Sequence, residues 1–181
     1  MRNILIGLAM TLVALPATAQ IPSEEWNGCL ASNGGVRISA EEKVGYCTRL
    51  IEGGQLSNAN LAMAYNNRGD AYEKMGLFDQ EIADDTAAIQ INPNYAVAYN
   101  NRAWAYHLKG QDAKGLADVE KAVELDPTHA SSLETRAEIY EKLGQPDKAI
   151  ADYREALRLD PSGNDGAMGS KEGLKRLGVT P

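Results

Sequence analysis

The sequence predicts an all-α protein, a solenoid of three stacked helix-turn-helix units with a lone helix at each end. Three observations carry this. Gly76, Gly110 and Gly144 stand 34 residues apart. Five more sets keep the same step without an insertion: Tyr72, Tyr106 and Tyr140; Ala88, Ala122 and Ala156; Pro93, Pro127 and Pro161; Arg68, Arg102 and Arg136; Asp84, Asp118 and Asp152. The apolar fraction, 44%, is mostly alanine and leucine with only 6% aromatic residues, a mixture that favours helix. A fixed period of this length marks units that are each too small to bury a core alone and must therefore stack.

Taken in order, the chain opens on a segment that does not belong to the fold. Arg2 precedes an apolar run from Ile4 to Leu15, Pro16 breaks it, and Ala17-Thr18-Ala19 forms a small-x-small site. This is the pattern of a cleavable signal peptide over residues 1–19, cut after Ala19. The run is a dozen residues, short of the ~20 that span a bilayer. Without Arg2 the net charge moves from −7 to −8. A chain this acidic lacks the basic patches that phosphate backbones and anionic lipid require, so neither nucleic acid nor a membrane surface is an expected partner. The expected location is the periplasm or the extracellular space.

Residues 20–61 form an expected N-terminal cap with one helix. Cys29 and Cys47 are the only cysteines, 18 residues apart. Export puts them where paired thiols oxidise, so a structural disulfide is expected. Redox catalysis would favour a C-x-x-C pair, and a metal site would need further ligands nearby. Asn27-Gly28, Asn33-Gly34 and Gly35 read as turns. A helix follows over Ala40–Ile51, opened by a Ser39/Glu42 capping box and closed at Gly53-Gly54. Val44, Cys47, Leu50 and Ile51 share one face of it, so Cys47 faces the core side and the bond would pin the turn-rich N-terminal segment against this helix.

The periodic stretch 62–161 divides by period into 62–95, 96–129 and 130–163. Each unit holds two helices: about 59–74 and 79–90, then 96–109 and 112–124, then 130–143 and 146–158. Glycine ends each first helix. Asp79, Asp112 and Asp147 lie at or beside the second-helix N-termini, where a carboxylate meets the helix dipole. Pro146 suits a first turn, and the prolines after the second helices stop them. Counting Ala62 as the first place of the unit, small residues Gly69, Ala103 and Ala137 take the eighth place, where two helices approach closely. Residues 164–181 carry the period on: Gly178 lies 34 beyond Gly144, and 174–178 echo 140–144, so a lone first helix over 165–177 should cap the row. Gly166, Gly169 and Gly173 are expected to make it fray.

With small residues at the eighth place, Tyr at the eleventh, Ala at the twenty-seventh and Pro at the thirty-second in every unit, the stretch resembles the tetratricopeptide repeat family. It departs at the twentieth place, where Glu81 and Gly115 stand against the family's Ala, kept only as Ala149. Looser packing is expected around Gly115. The resemblance implies a right-handed α-solenoid and a scaffold that binds protein, with no cofactor or metal.

It also implies that the first helices line a concave groove. There the expected peptide-binding residues are Asn66, Asn67, Asp70, Asn100, Asn101, Trp104, His107, Thr135 and Glu138. An amide both donates and accepts, so paired Asn side chains suit an extended backbone of any sequence. Trp104 offers an anchor, and the acidic third unit favours a basic segment. The plainer reading is that the amides are merely solvated. Some family members clamp a terminal carboxylate with cations, but Ser131 and Thr135 occupy the corresponding places here.

The recurring Arg68, Arg102 and Arg136 with Asp84, Asp118 and Asp152 read as ion pairs between helices, since three copies of one pair suit architecture better than a site. Adjacent pairs such as Asp84-Asp85 read as a solvated face. His107 and His129 are the only histidines and no catalytic constellation or phosphate loop accompanies them, so no enzyme is expected. Two other readings stay open: an accessory component of an enzyme system holding a small or polymeric ligand, and a self-associating structural protein.

Overall fold

The computed structural model describes residues 23–31, 38–162 and 168–180; the signal-peptide reading and the Asn33-Gly34-Gly35 turn lie outside them. The helices described are α1 (Ser23–Leu30), α2 (Ala40–Gly53), α3 (Asn58–Lys74), α4 (Phe78–Ile91), α5 (Ala96–Leu108), α6 (Asp112–Leu125), α7 (Ala130–Lys142), α8 (Pro146–Leu159) and α9 (Met168–Arg176). They form an all-α solenoid. Helices α3/α4, α5/α6 and α7/α8 are the three pairs of the period, and each second helix also packs on the next first helix. First helices touch one another along the row, α1 on α3, α3 on α5, α5 on α7 and α7 on α9, whereas second helices touch only first helices. The first-helix layer is therefore the inner, concave one. No described helix is long and apolar enough to cross a membrane.

The turns repeat to the hydrogen bond. Gly76, Gly110, Gly144 and Gly178 all take φ near +70°, a conformation that side chains rarely adopt. In each turn the residue after the glycine donates to a carbonyl five residues back, as in Gln145 to Tyr140 and Val179 to Leu174. Asp79 and Asp147 stand second in α4 and α8, and Asp112 first in α6. None of them is the N-cap, and Leu77, Gln111 and Gln145 hold that place without a side-chain bond.

Three expectations change. The cap holds two helices. Asn27-Gly28 is the middle of α1, and the Tyr46 ring lies where a Cβ on Gly28 would sit, 2.4 Å from Tyr46 Cδ2. Glycine there serves close approach, and α1/α2 make a degenerate unit of their own. Cys29 and Cys47 are joined with Sγ–Sγ 2.07 Å, among Leu50, Ala64, Trp26 and Tyr46. The Ser39/Glu42 capping box forms as written.

Second, Gly115 marks tight packing. An added Cβ would lie 2.8 Å from the Ala103 carbonyl oxygen and 3.1 Å from Ile139 Cδ1, so α5 and α6 meet backbone to backbone.

Third, α9 begins at Met168, Gly166 lies outside the described residues, and Gly169 and Gly173 stand where neighbouring side chains come close. Tyr153 from α8 fills the space of a Cβ on Gly173, and Leu174 is wholly buried beside it. Glu134 reaches across to the start of α9, accepting from the Gly169 and Ser170 backbone N–H and the Ser170 hydroxyl at 3.2, 2.8 and 2.7 Å. A carboxylate at that end suits the helix dipole.

Candidate functional site

The inner layer carries a cavity of about 230 Å³ lined by three successive first helices and one second helix. Asp70 and Glu73 come from α3, Glu81 from α4, Asn100, Asn101 and Trp104 from α5, and Ser131, Glu134, Thr135 and Glu138 from α7. Side chains one period apart fall beside one another because consecutive first helices run side by side. Six of the nine residues expected in the groove meet here: Asp70, Asn100, Asn101, Trp104, Thr135 and Glu138.

The other three lie elsewhere. Asn66 is buried; its Nδ2 donates to Asp85 Oδ1 at 2.9 Å and its Oδ1 accepts from the Tyr95 hydroxyl at 3.2 Å. Asn67 donates to the Met63 carbonyl of its own helix. The expected row of four groove amides is therefore corrected to two that line the cavity, the buried Asn100 and the half-buried Asn101. His107 sits in the next hollow with Glu138, Glu141, Lys142 and Arg176. Its Nδ1 is 2.6 Å from Asp112 Oδ1, and its ring lies 5.3 Å from that of Trp104.

Within the cavity the polar groups are ordered. Asn101 Nδ2 donates to Asp70 Oδ1 at 2.7 Å, and Trp104 Nε1 to Glu73 Oε1 at 3.2 Å, each tying α5 to α3. Lys43, a buried lysine of α2, stands 3.9 Å from Asp70 Oδ2. The acidity expected of the third unit is partly engaged by α9: Glu134 caps that helix, and Glu141 receives Arg176 at 3.0 and 3.1 Å and the Tyr153 hydroxyl at 3.0 Å.

Two acids of α4 are buried here, Glu81 in the cavity wall and Asp85 one helical turn further on. Glu81 is 1% exposed and Asp85 fully buried. Burial first, then the neighbouring carboxylates Asp85, Glu73 and Asp70, push Glu81 up to about 9. Burial likewise holds Asp85 well above the usual carboxylate range against the pull of the Asn66 amide. Asp70 is raised by burial in spite of Lys43, and Glu138 by burial and then Glu134. Tyr95 nearby is pushed up to about 12, by burial and then by Asp70 and Asp85.

The solvated-face reading of Asp84-Asp85 is wrong at both positions, since both are buried. Asp84 turns to Arg68, and Asp85 occupies the room that Gly69 leaves, with Oδ1 3.3 Å from where a Cβ would be. The signal was present in the repeat itself: the twenty-fourth place holds Asp85, Val119 and Tyr153, two of them plainly core residues.

Arg68, Arg102 and Arg136 each hold Asp84, Asp118 and Asp152 in a two-pronged grip, Nε and Nη2 both at 2.7–2.8 Å. No group of three or more His, Cys, Asp or Glu among the described residues is placed to ligate a metal.

Comparison with known proteins agrees with this architecture. Three tetratricopeptide repeat families match, over residues 62–95, 86–117 and 130–162. The middle match is offset from the helix pairs and runs from late α4 into early α6. Among curated protein sequences none matches. Among solved structures, the Arabidopsis OM64 TPR domain is 27% identical with a TM-score of 0.61, covering 67% of this chain and 97% of that one. The second TPR of Spaghetti (RPAP3), bound to the HSP90 peptide SRMEEVD, is 25% identical with a TM-score of 0.55, covering 57% and 95%. A thermophilic TPR protein from Thermus thermophilus is 22% identical with a TM-score of 0.62, covering 75% and 73%. Stacked helix pairs, the 34-residue period and these matches together make the chain a member of the tetratricopeptide repeat family.

Proposed function

We propose that the chain is a non-catalytic protein-binding scaffold or assembly factor of the bacterial cell envelope that takes an extended partner segment along its concave face. The carrying observation is the cavity that runs across α3, α5 and α7 with polar side chains directed from all three. Exposed Val97 and Leu108 on α5 offer apolar contact on either side of Trp104 along the same helix. The Spaghetti repeat shares the fold and holds a peptide, which supports a peptide partner here. Its peptide carries three acidic side chains and one basic one. The present cavity is lined by five acids and no base, so a partner of the opposite sign fits it. The leader-like residues 1–19 and the Cys29–Cys47 bond support an oxidising envelope compartment.

An array of random twelve-residue peptides, probed with wild type and with Asn101→Ala/Trp104→Ala, tests the reading. A discrete peptide set that the double variant loses is the expected result. Retention of no peptide, or of the same set by both proteins, overturns it.

A further inference from the structure

The first unit differs from its neighbours at two places of its core. The twentieth place holds Glu81 where the others hold Gly115 and Ala149; the twenty-fourth holds Asp85 where they hold Val119 and Tyr153. Glu81 reaches the cavity wall, and its Oε2 has no hydrogen-bond partner. Asn100, on the facing helix α5, is 7% exposed, lines the same cavity, and leaves its Oδ1 equally unpartnered. Buried acceptors are nearly always bonded, so these two orphans from different helices in one wall, with Asp85 Oδ2 a third behind Glu81, mark the place of a missing donor. The surroundings give its sign: the wall holds Asp70, Glu73, Glu81, Glu134 and Glu138 and no cationic side chain.

We propose that this cavity seats an arginine side chain of the bound partner segment beside the Trp104 ring, its guanidinium donating to Glu81 Oε2 and Asn100 Oδ1, which are closed off from solvent in the free chain and turn to meet it. The inference rests on the peptide-binding reading above. Arginine fits better than lysine for three reasons. Its planar fork presents five donors and reaches acceptors on two helices at once. It is less strongly hydrated than an ammonium, so entering a partly closed cavity is easier. It also lies well against an indole.

Binding should displace a proton. Facing Glu81 are Asp85 from its own helix, Asp70 and Glu73 from α3, the neutral amides of Asn100 and Asn101 from α5, and Glu134 and Glu138 from α7; Lys43 of α2 lies behind Asp70. At neutral pH Glu81 keeps its proton in the free protein. A guanidinium favours the ionised form, so binding tightens as pH rises from 6.5 to 8.5, by at most tenfold per pH unit for one proton released.

The chain has two tryptophans. A Trp26→Phe background therefore makes the Trp104 indole the sole reporter, by fluorescence or by its N–H resonance. The probe is an acetylated, amidated polyalanine heptapeptide with one central arginine, compared with the same peptide carrying citrulline or lysine. Expected is at least tenfold tighter binding of arginine than of citrulline, a smaller preference over lysine, and loss of the pH dependence in Glu81→Gln. Should Glu81→Gln fail to fold by circular dichroism, Asn100→Ala removes the second acceptor and is expected to weaken the arginine peptide alone. Equal binding of arginine and citrulline overturns the arginine seat while leaving the groove reading intact. Spermidine binding as tightly as the arginine peptide overturns it in favour of a small polycation. Failure of every array peptide defeats both readings.

Discussion

Arg102 joins three helices from a single position. Nε and Nη2 grip Asp118 of α6, and Nη1 donates to the Thr86 hydroxyl of α4 at 3.0 Å. The Tyr99 ring of α5 lies 5.6 Å from the guanidinium carbon. Arg68 repeats this with Asp84 and Thr48 of α2, so α2 takes the part of a preceding second helix, displaced in sequence by four residues from the 34-residue step. Planarity is what permits three partners, and lysine cannot reproduce it. Arg102→Met leaves Asp118 as an unpaired, mostly buried charge and is expected to cost about 3 kcal/mol in urea unfolding; Arg102→Lys should recover only part. Glu81 makes a different prediction. Folded, it holds its proton to about pH 9, against an ordinary value of 4.5. Between those values the folded chain binds the extra proton. The stability that this proton gives is therefore complete below the ordinary value and lost as pH rises through about 9. Glu81→Gln should flatten this slope, whose upper limit is about 1.4 kcal/mol per pH unit per proton, when urea midpoints are measured from pH 5 to 9.

Among elements, glycine decides where helices meet. The 34-residue step makes the turn glycines legible, because φ near +70° recurs with the period. Gly115 and Gly173 are open to misreading, Gly115 because the family pattern places Ala there and Gly173 because helix propensity counts it a weak point, while the neighbours that need the space lie on other helices. Gly115→Ala drives a Cβ against the Ala103 carbonyl, a backbone atom that cannot swing away. The expected loss is about 1–3 kcal/mol by thermal or urea unfolding. Gly173→Ala meets the Tyr153 ring at 2.3 Å and should release α9. Amide exchange would then quicken in 168–180, and in α8 where Tyr153 and Leu157 are uncovered, with α3 to α6 unchanged. Exchange left as in wild type would contradict the close fit. Large and small residues alternate along the row in the same way: Tyr153 faces Gly173, whereas the smaller Val119 packs with Ile139.

At the scale of the molecule, stability passes from neighbour to neighbour, so each end needs its own closure. The C-terminal end uses α9, whose arrangement carries the repeat's own turn to Gly178. The N-terminal end uses α1, eight residues long and too short to hold by itself, tied to α2 by Cys29–Cys47. Closing a loop of 18 residues stabilises by about 3 kcal/mol on the chain-entropy model. Reduction should therefore lower Tm measurably and expose Tyr46 and Trp26 to solvent, read by a red shift in fluorescence, while the Trp104 signal stays in place. A solenoid of this kind also spreads its binding surface over several units. The acid-lined cavity draws on all three, and no single unit contains it.

The sequence by itself determined the class of fold, the helix pairs, the turns and the Arg–Asp grips, since all of these recur with one period and each repetition checks the others. It also marked which helices would line the inner face. Only the tertiary structure decided what the inner face presents. Asn66 and Asn67 carry the same amide as Asn100 and Asn101, yet Tyr95, Asp85 and the Met63 carbonyl engage the first two. Glu81 and Asp85 are acids in a register of small and apolar residues, and their burial depends on Gly69, α3 and α5 enclosing them. A helical pattern states which way a side chain points along its own helix. Whether that direction ends in water, in a partner or in an unfilled hydrogen bond is set by residues one or two periods away.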